Sequence, residues 1–331
     1  MPANLSADYK AAEERLRQAK TVQEKLDCLQ EMLRVIPKHK GTDHMQADLK
    51  KRISQLKKEG EKKGVKAASS SLFVKPEGIG QIFLVGPPNS GKSSLLDALT
   101  NARPEVAPYP FTTQMYQPGM VWHENVWIQL VDMPPVSSKA PLAWIPSVVR
   151  YGNAALLTVS LASDDLLTEV EEVFEGLKAG KVVLARKNEE AGMFDTGIAA
   201  LRTMLVCTHC LDPDADARLE LLHEMLPDAY DVVKVDTTSP DTLPPLRKAM
   251  YELLGVTRVY SKQPGKPADM ADPFVVPKGT LVEELATRIH KDIGARLSYA
   301  RIWSSDDRKF DGQRVARNYV LEEGDVVEMH T

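Results

Sequence analysis

The stretch IFLVGPPNSGKSSLLDAL, residues 82–99, decides the fold of the chain. An apolar run ends in a glycine, and a Lys-Ser pair then opens a helical pattern, so that residues 86–93 fit G-x-x-x-x-G-K-[ST] at every position. In such a loop, successive backbone N–H groups and the positive end of the following helix surround a phosphate. The sequence therefore predicts a nucleotide-binding loop, whose residues are Gly86, Pro87, Pro88, Asn89, Ser90, Gly91, Lys92, Ser93 and Ser94.

Two side chains of this loop and one beyond it carry the expected chemistry. Lys92 would reach the β- and γ-phosphate oxygens, and the hydroxyl group of Ser93 would ligate Mg²⁺. Asp132 ends the apolar strand VWIQLVD, where its carboxylate suits a water molecule bound to the metal. The residues therefore predict Mg²⁺ as cofactor and a nucleoside phosphate as ligand.

The composition is that of an ordinary globular protein, with 43% hydrophobic and 27% charged residues and a net charge of −4 over 331 residues. The chain has three cysteines, which are too few for a disulfide scaffold and indicate a reducing compartment. The first residues lack an apolar signal core, and the apolar stretch near residues 154–162 is too short for a bilayer. We therefore expect a cytoplasmic protein without a membrane span.

Three kinds of pattern follow one another along the chain. Apolar residues at helical spacing come first, then short β-rich runs alternate with helical stretches, as is typical of a parallel sheet covered by helices on both faces. The last segment predicts a strand, a helix and short strands separated by turns, the order of a β-grasp module. The predicted domains are a basic helical arm (1–66), a linker (67–79), a P-loop domain (80–256), a linker (257–270) and a C-terminal module (271–331).

The segment GPPNSGKSSLLDALTNARPEVAPYPFTT, followed by a strand and DMPP, resembles the Obg/DRG branch of the translation-factor GTPases. The C-terminal stretches VPKGTLVEELATRIHKDI and KFDGQRVARNYVLEEGDVVEM are similar to a TGS domain, a β-grasp module often attached to such GTPases. The resemblance covers most of the chain. It implies an α/β P-loop domain of the Ras-like kind, GTP or GDP as ligand, and Thr113, with Thr112 beside it, as a further Mg²⁺ ligand.

The chain departs from the family pattern in the second switch. In the family, D-x-x-G places a glycine whose N–H donates to the γ-phosphate, whereas Pro135 has no N–H to donate. Val136 stands where Ras-like enzymes have a glutamine that orients water, and a valine cannot position water. We therefore expect GTP hydrolysis to be slow, and no residue is assigned to catalysis.

The motif that reads the base also departs from the family, whose N-K-x-D recognises guanine through its aspartate. In the loop HCLD, Asp212 aligns with the aspartate, His209 with the asparagine and Cys210 with the lysine, which predicts His209 and Asp212 as nucleotide contacts. A register one residue earlier would place Leu211 at the aspartate position and abolish guanine recognition. A zinc or redox role for the pair Cys207 and Cys210 is disfavoured, because one further cysteine cannot complete four ligands.

Residues 38–66 contain ten Lys or Arg residues against four acidic residues, an asymmetry that suits contacts with a phosphate backbone. In the C-terminal module, Lys278, Lys309, Arg314 and Arg317 could add to a binding face. These features predict a ribosome or structured RNA as partner, engaged through residues 38–66 and the TGS domain. A solvated lysine-rich helix remains the alternative.

Three functions stay open from the residues. The first is a GTP-binding protein of the Obg/DRG type with weak intrinsic GTPase activity, whose nucleotide state sets how the arm and the TGS module engage RNA. The second is a scaffold with a degenerate nucleotide domain that no longer hydrolyses GTP and that binds RNA or protein. The third is a relative that binds ATP.

Overall fold

The computed structural model describes residues 74–100, 116–137, 142–304 and 312–331. The chain divides into two compact units, residues 1–73 and residues 74–331. Most of the predicted helical arm lies outside the described residues. Those described in the first unit are all helical, and they are Arg15, Leu16, Cys28, Leu29, Met32, Leu33, Leu49, Lys51 and Arg52.

The second unit begins with an eight-stranded, mainly parallel sheet. Its strands are β1 (Gln81–Val85), β2 (Gln117–His123), β3 (Val126–Asp132), β4 (Ala154–Ser160), β5 (Val182–Ala185), β6 (Gly192–Met193), β7 (Ala199–Thr208) and β8 (Asp231–Lys234). The strand order is β2-β3-β1-β4-β7-β5, and β6 and β8 also pair with β7. The pairs β2–β3 and β6–β7 are antiparallel, and the others are parallel.

Helices cover both faces of this sheet, and they are α1 (Lys92–Leu99), α2 (Ile145–Val149), α3 (Leu166–Ala179), α4 (Ala215–Met225) and α5 (Leu243–Leu254). Every residue of β1 and β4 is buried, as expected for parallel strands with both faces covered. On one face, Leu95 of α1 and Leu246 of α5 share a core with Ile82. The predicted α/β P-loop fold is confirmed. Within the described part of the chain, no helix is both long and apolar enough to cross a membrane.

A second sheet of five strands follows, in the order β10-β9-β13-β11-β12. One face of it packs against a helix, where Val282 and Leu285 share a core with Val259, Ile302 and Val327. This order of elements confirms the predicted β-grasp module. Its strands are β9 (Val256–Lys262), β10 (Phe274–Pro277), β11 (Tyr299–Trp303), β12 (Gln313–Val315) and β13 (Asp325–His330), and its helices are α6 (Val282–Ile289) and α7 (Lys291–Arg296).

The structure corrects the boundaries of both predicted linkers. Residues 257–262 belong to β9, because Thr257 and Val259 alternate with outward residues and fill the core beneath α6, and the Pro- and Gly-containing stretch starts only after Lys262. Residues 74–79 are also attached to the first sheet, since the backbone N–H of Ile79 donates to the carbonyl oxygen of Trp127 at 2.8 Å. The second sheet therefore begins at Val256, where the P-loop domain was predicted to end.

Candidate nucleotide-binding site

The predicted site residues meet at the edge of the first sheet where four parallel strands end. The loop of residues 86–91 follows β1, Asp132 ends β3, Ser160 ends β4 and Thr208 ends β7. In open α/β sheets, ligands bind outside the carboxyl ends of the strands. The fold therefore places the loop and Asp132 in the position that a ligand site requires.

Two glycines allow the loop to pass close to its neighbours. A Cβ atom on Gly86 would lie 2.2 Å from the carbonyl oxygen of Thr158, and one on Gly91 would lie 3.2 Å from Thr208 Oγ1. Gly91 also has a φ of 84°, in the left-handed region that favours glycine. The hydroxyl of Thr208 donates to the carbonyl oxygen of Ser90 at 2.9 Å, which ties the loop to β7. The loop is thus held in place by the sheet before any ligand binds.

Lys92 lies across the loop and is only 6% exposed. Its Nζ atom donates to the carbonyl oxygens of Gly86 and Pro87, at 3.1 and 2.6 Å, and to Ser90 Oγ at 3.1 Å. Burial lowers the pKa of Lys92 to about 8, although Asp132 and Glu169 act in the opposite direction. An ammonium group has three donors, so a phosphate oxygen must replace at least one of these loop acceptors.

Ser93 and Asp132 form a second pair beside the loop. The Ser93 hydroxyl donates to Asp132 Oδ2 at 2.5 Å. Asp132 Oδ1 is buried and has no hydrogen-bond partner among the described residues. Burial raises the pKa of Asp132, while the bond from Ser93 and the charge of Lys92 lower it. A buried carboxylate oxygen without a donor is costly, and it marks a place for an incoming water molecule or cation.

The segment after Asp132 offers no amide group to a phosphate. Met133 N–H donates to the carbonyl oxygen of Leu84 at 3.2 Å, and Val136 N–H donates to that of Gly86 at 3.1 Å. Pro134 and Pro135 have no N–H. The missing γ-phosphate donor inferred from Pro135 is therefore not supplied by Val136.

The side chain of Val136 is also held, because it is buried against α3. A Cβ atom on Gly176 of that helix would lie 2.7 Å from Val136 Cγ1. Val136 thus points into packed side chains and cannot orient water.

The loop after β7 carries the predicted base contacts. His209 has a φ of 54°, and its Nδ1 lies 3.0 Å from Ser160 Oγ and 3.1 Å from Thr208 Oγ1. Asp212 Oδ1 accepts from Arg218 Nη1 at 2.9 Å and from the backbone N–H of Asp214, the residue before α4, at 3.0 Å. His209 is therefore next to the P-loop strands, and Asp212 has one oxygen committed to fixing its own loop.

Sequence reasoning missed three polar groups at this edge, Ser160, Thr208 and Asp236. Asp236 follows β8 and is 8% exposed. Hydrogen bonds from Thr238 lower its pKa, and the neighbouring His209 and the backbone N–H of Leu211 act in the same direction. All three follow or end parallel strands, so their position after an apolar β-rich run was the signal that could have indicated them.

Cys207 lies in β7 and Cys210 in the loop that follows it, and both are free cysteines. Cys207 is fully buried, and burial raises its pKa to about 12. Cys210 is partly exposed, and burial also raises its pKa. No group of three or more His, Cys, Asp or Glu residues suited to a metal ion occurs among the residues that the structure describes.

The other predicted site residues are placed as follows. Pro88, Asn89 and Ser94 are exposed in the loop and in the first turn of α1. Thr113 and its neighbour Thr112 lie outside the described residues. The structure thus brings together Lys92, Ser93 and Asp132 from the prediction, with His209 close to the strands that hold the loop.

Comparison with known proteins defines the class. Residues 81–217 match the family described as 50S ribosome-binding GTPase, and residues 257–331 match the TGS domain. An uncharacterized GTP-binding protein of Methanocaldococcus jannaschii is 26% identical, with 92% of each chain covered. Developmentally-regulated G-protein 3 of Arabidopsis thaliana is 27% identical, covering 93% of this chain and 98% of that protein. Among solved structures, the chain matches the YchF GTPase of Schizosaccharomyces pombe at 13% sequence identity and a TM-score of 0.48. The match covers 78% of this chain and 99% of that one.

The chain therefore contains a P-loop GTPase domain followed by a TGS domain. It is an Obg/DRG-like GTP-binding protein, related over nearly its full length to the developmentally regulated G proteins. This confirms the family and the class of function predicted from the sequence.

Proposed function

We propose that this GTP-binding protein holds the β- and γ-phosphates on residues 86–94, requires Mg²⁺ for tight binding and hydrolyses GTP slowly. The observation that carries the proposal is the linked set at the end of β1 and β3. A buried ammonium group of Lys92 lies among the loop acceptors, and the buried Asp132 accepts from Ser93. Both charged groups lie at the carboxyl ends of the strands, beside the loop whose backbone N–H groups can bind an anion.

The residues at this point fit a magnesium ion. In nucleotide sites Mg²⁺ takes one or two protein oxygens together with phosphates and water, so few carboxylates are needed. Ser93 would ligate the ion, Thr113 would add a second hydroxyl, and the unpaired Oδ1 of Asp132 would accept from a metal-bound water. When bound, the ion would supply positive charge to the phosphate oxygens, while Asp132 orients the Ser93 hydroxyl.

The proposed slow hydrolysis follows from the second switch. Pro135 has no amide for the γ-phosphate, and the amide of Val136 is bonded to Gly86. The buried side chain of Val136 positions no water. A scaffold that binds GTP without hydrolysing it is the second candidate, because the same two observations favour it.

For the base, we propose that Asp212 accepts from guanine through the oxygen that Arg218 leaves available. Adenine offers no matching donors, so an acceptor that the bound base encloses would discriminate against it. His209 would contribute beside the base from its place between β4 and β7.

Competition titrations of GTP, GDP and ATP against a fluorescent guanine nucleotide test this reading, with Asp212→Asn as the variant. Asp214→Asn is a matched control, because Asp214 also pairs with Arg218, at 3.5 Å. We expect GDP affinity to fall roughly 10- to 150-fold in Asp212→Asn, the loss of a charged hydrogen bond, and to stay within about twofold in Asp214→Asn. Unchanged GDP affinity in Asp212→Asn would favour the register with Leu211 at this position, and tighter ATP than GTP binding would favour the adenine reading.

We further propose that ribosomal or other structured RNA is the partner, engaged by residues 38–66 and the TGS domain, in the cytoplasm. The β2–β3 hairpin supports a link between the nucleotide site and the TGS domain. Its strand β3 ends at Asp132, and the turn at the other end of the hairpin contacts β9 of the TGS domain. In that turn Glu124 forms an ion pair with Arg258, and Asn125 Oδ1 accepts from Arg258 Nη1 at 3.0 Å. Asn125 also donates to the hydroxyl of Tyr260 at 2.8 Å.

Co-sedimentation of the full chain with ribosomes, with GDP or a non-hydrolysable GTP analogue, tests the partner. Residues 57, 58, 62 and 63 are lysines of the basic stretch, and their joint change to Gln should reduce pelleting and its salt dependence. Equal pelleting by that variant and the wild type would leave residues 38–66 as a solvated helix. The matched control carries the same change at exposed lysines elsewhere, which are Lys178, Lys181, Lys248 and Lys266.

A further inference from the structure

A cavity of about 500 Å³ lies between the P-loop domain and the TGS domain, and we call it the junction cavity. On the side of the P-loop domain it is lined at the amino ends of three parallel strands, where Ile79 precedes β1, Asn153 precedes β4 and Ala199 begins β7. On the other side it is lined by Val275 of β10 and by the end of α6. The nucleotide loop lies at the carboxyl ends of the same strands, so the junction cavity is separate from the nucleotide site.

Three arginines line the junction cavity, Arg150 after α2, Arg202 in β7 and Arg288 in α6. None of the described residues that line it is acidic. Arg202 also lines a neighbouring cavity together with Glu190 and Glu252. The ion pairs found within the described part of the chain nevertheless include none of the three arginines. Positive groups without a counter-charge in a concave surface attract an anion.

We propose that the junction cavity binds a small molecule that carries a phosphate monoester on an aliphatic body. This site is additional to the nucleotide site, and the proposal does not depend on how residues 86–94 use GTP. Small-molecule sites have volumes of about 300–1,000 Å³ and occur preferentially at boundaries between domains. The junction cavity meets both conditions, and the chemistry of its lining decides the class of ligand.

The backbone holds two of the three arginines in place. Arg150 Nη2 donates to the carbonyl oxygen of Gly197 at 2.6 Å, and Arg202 Nη1 donates to that of Leu254 at 3.0 Å. Gly255 leaves room for the second contact, because a Cβ atom there would overlap Arg202 Nη1. A guanidinium group has five N–H donors, so both arginines keep donors for phosphate oxygens. Side chains that are already held lose less freedom when a ligand binds.

The number of guanidinium groups favours phosphate over carboxylate. A phosphate monoester carries a charge of about −1.5 to −2 at pH 7 and three strong acceptor oxygens, whereas a carboxylate carries a single charge on two oxygens. A guanidinium group can pair with phosphate through two parallel N–H···O bonds. Because the P-loop domain supplies Arg150 and Arg202 and the TGS domain supplies Arg288, a bound phosphate group would connect the two domains.

The remainder of the lining favours an aliphatic body over a nucleobase. Ile79, Val256 and Val275 are partly buried aliphatic residues of the wall. Among the described residues that line the cavity there is no aromatic side chain, so a base would find no ring to stack on. Methylene groups placed against the aliphatic wall would leave water, which strengthens binding.

The test is isothermal titration of hexyl phosphate into the full chain saturated with GDP and Mg²⁺, which keeps the probe away from the P-loop. The first variant combines Arg202→Gln and Arg288→Gln, one arginine from each domain. Its matched control combines Arg186→Gln and Arg296→Gln, the same changes at exposed positions of the two domains that do not line the cavity. Arg288→Gln alone is the second variant, because this side chain is exposed and its removal should not disturb the fold.

The GDP-loaded wild type should bind hexyl phosphate at a single saturable site. Loss of a hydrogen bond to a charged group weakens binding about tenfold or more, so we expect about a tenfold loss in Arg288→Gln and about a 100-fold loss in the double variant. The control should stay within about twofold of the wild type. Each methylene group that leaves water adds about fourfold in affinity, so propyl phosphate should bind at least about tenfold more weakly than hexyl phosphate. Hexanoate should also bind more weakly, because it carries one charge.

Absence of saturable binding to the GDP-loaded wild type overturns the inference, and so do equal affinities of the double variant and its control. Hexanoate that binds as tightly as hexyl phosphate would assign the cavity to carboxylates. Propyl phosphate that binds as tightly would show that the ligand lies away from the aliphatic wall. Either result also overturns the inference.

A nucleic acid is the other anion that the test separates. If a single-stranded RNA displaces hexyl phosphate from the wild type and loses its own affinity in the double variant, the arginines belong to an RNA surface and the inference is overturned. Thermal unfolding and unchanged GDP affinity should establish that each variant is folded, so that a lost response to hexyl phosphate reports on the junction cavity.

Discussion

Restoring an amide group at position 135 should increase the preference for GTP over GDP. In the segment after Asp132, the N–H groups of Met133 and Val136 are bonded to Leu84 and Gly86, and the residues between them are prolines. Pro135→Gly adds one N–H next to the loop and leaves the bond from Val136 in place. A hydrogen bond to a charged group contributes about 1.5–3 kcal/mol, which is roughly 10- to 150-fold in affinity.

This gain applies to GTP alone, because GDP has no γ-phosphate. The assay is competition of GTP and GDP against a fluorescent GDP analogue, and the quantity compared is the ratio of the two dissociation constants. Pro134→Gly is the control, because it adds the same freedom to the unfolded chain, worth about 1 kcal/mol or less of stability, one position away. A ratio that stays unchanged in Pro135→Gly, or that rises equally in Pro134→Gly, would refute the reasoning.

Three further predictions concern the charges around the site. Nucleotide binding should take up a proton and weaken by up to about tenfold per pH unit above pH 8, because burial lowers the pKa of Lys92 to about 8 and the neutral amine must be protonated to pair with phosphate. Calorimetry in two buffers of different ionisation enthalpy measures the proton uptake, and the absence of uptake at pH 8.5 would contradict this prediction. Asp132→Asn should remove most of the Mg²⁺-dependent increase in nucleotide affinity, about tenfold or more, measured with and without EDTA; an intact increase would exclude Asp132 from the metal site. Arg258→Met should lower the free energy of unfolding in urea by about 1–3 kcal/mol, since it removes the ion pairs with Glu124 and Glu323. If the loss were as small as in the exposed control Arg288→Met, these ion pairs would contribute little to stability.

The part of the site that could be predicted is local in the sequence. The phosphate loop is written into eight consecutive residues, and Lys92 and Ser93 follow from their order alone. Asp132 was predictable because it ends an apolar strand, which locates it at the carboxyl edge of a parallel sheet. The alternation of strands and helices was enough for the α/β fold. The order of a strand, a helix and short strands separated by turns was enough for the β-grasp module.

The remaining features depend on partners that are distant in the chain. The bond from Val136 to Gly86 arises from the register of β3 beside β1, and no local pattern encodes that register. Arg258 looks like an ordinary surface residue of a linker, although its side chain is only 12% exposed and lies between Glu124 and Glu323. Asp236 follows a strand that was recognised, but its contact with the base loop required the three-dimensional order of β7 and β8.

Nucleotide binding to the loop can be measured by isothermal titration of GDP with Mg²⁺ into the wild type and into Lys92→Ala. Circular dichroism and thermal unfolding should first establish that both proteins are folded. We predict saturable heat from a single site in the wild type and no detectable binding in Lys92→Ala, because the buried ammonium group and the amides before it hold the phosphates. Equal heats from the two proteins, or no heat from folded wild type with any purine nucleotide, would contradict the account.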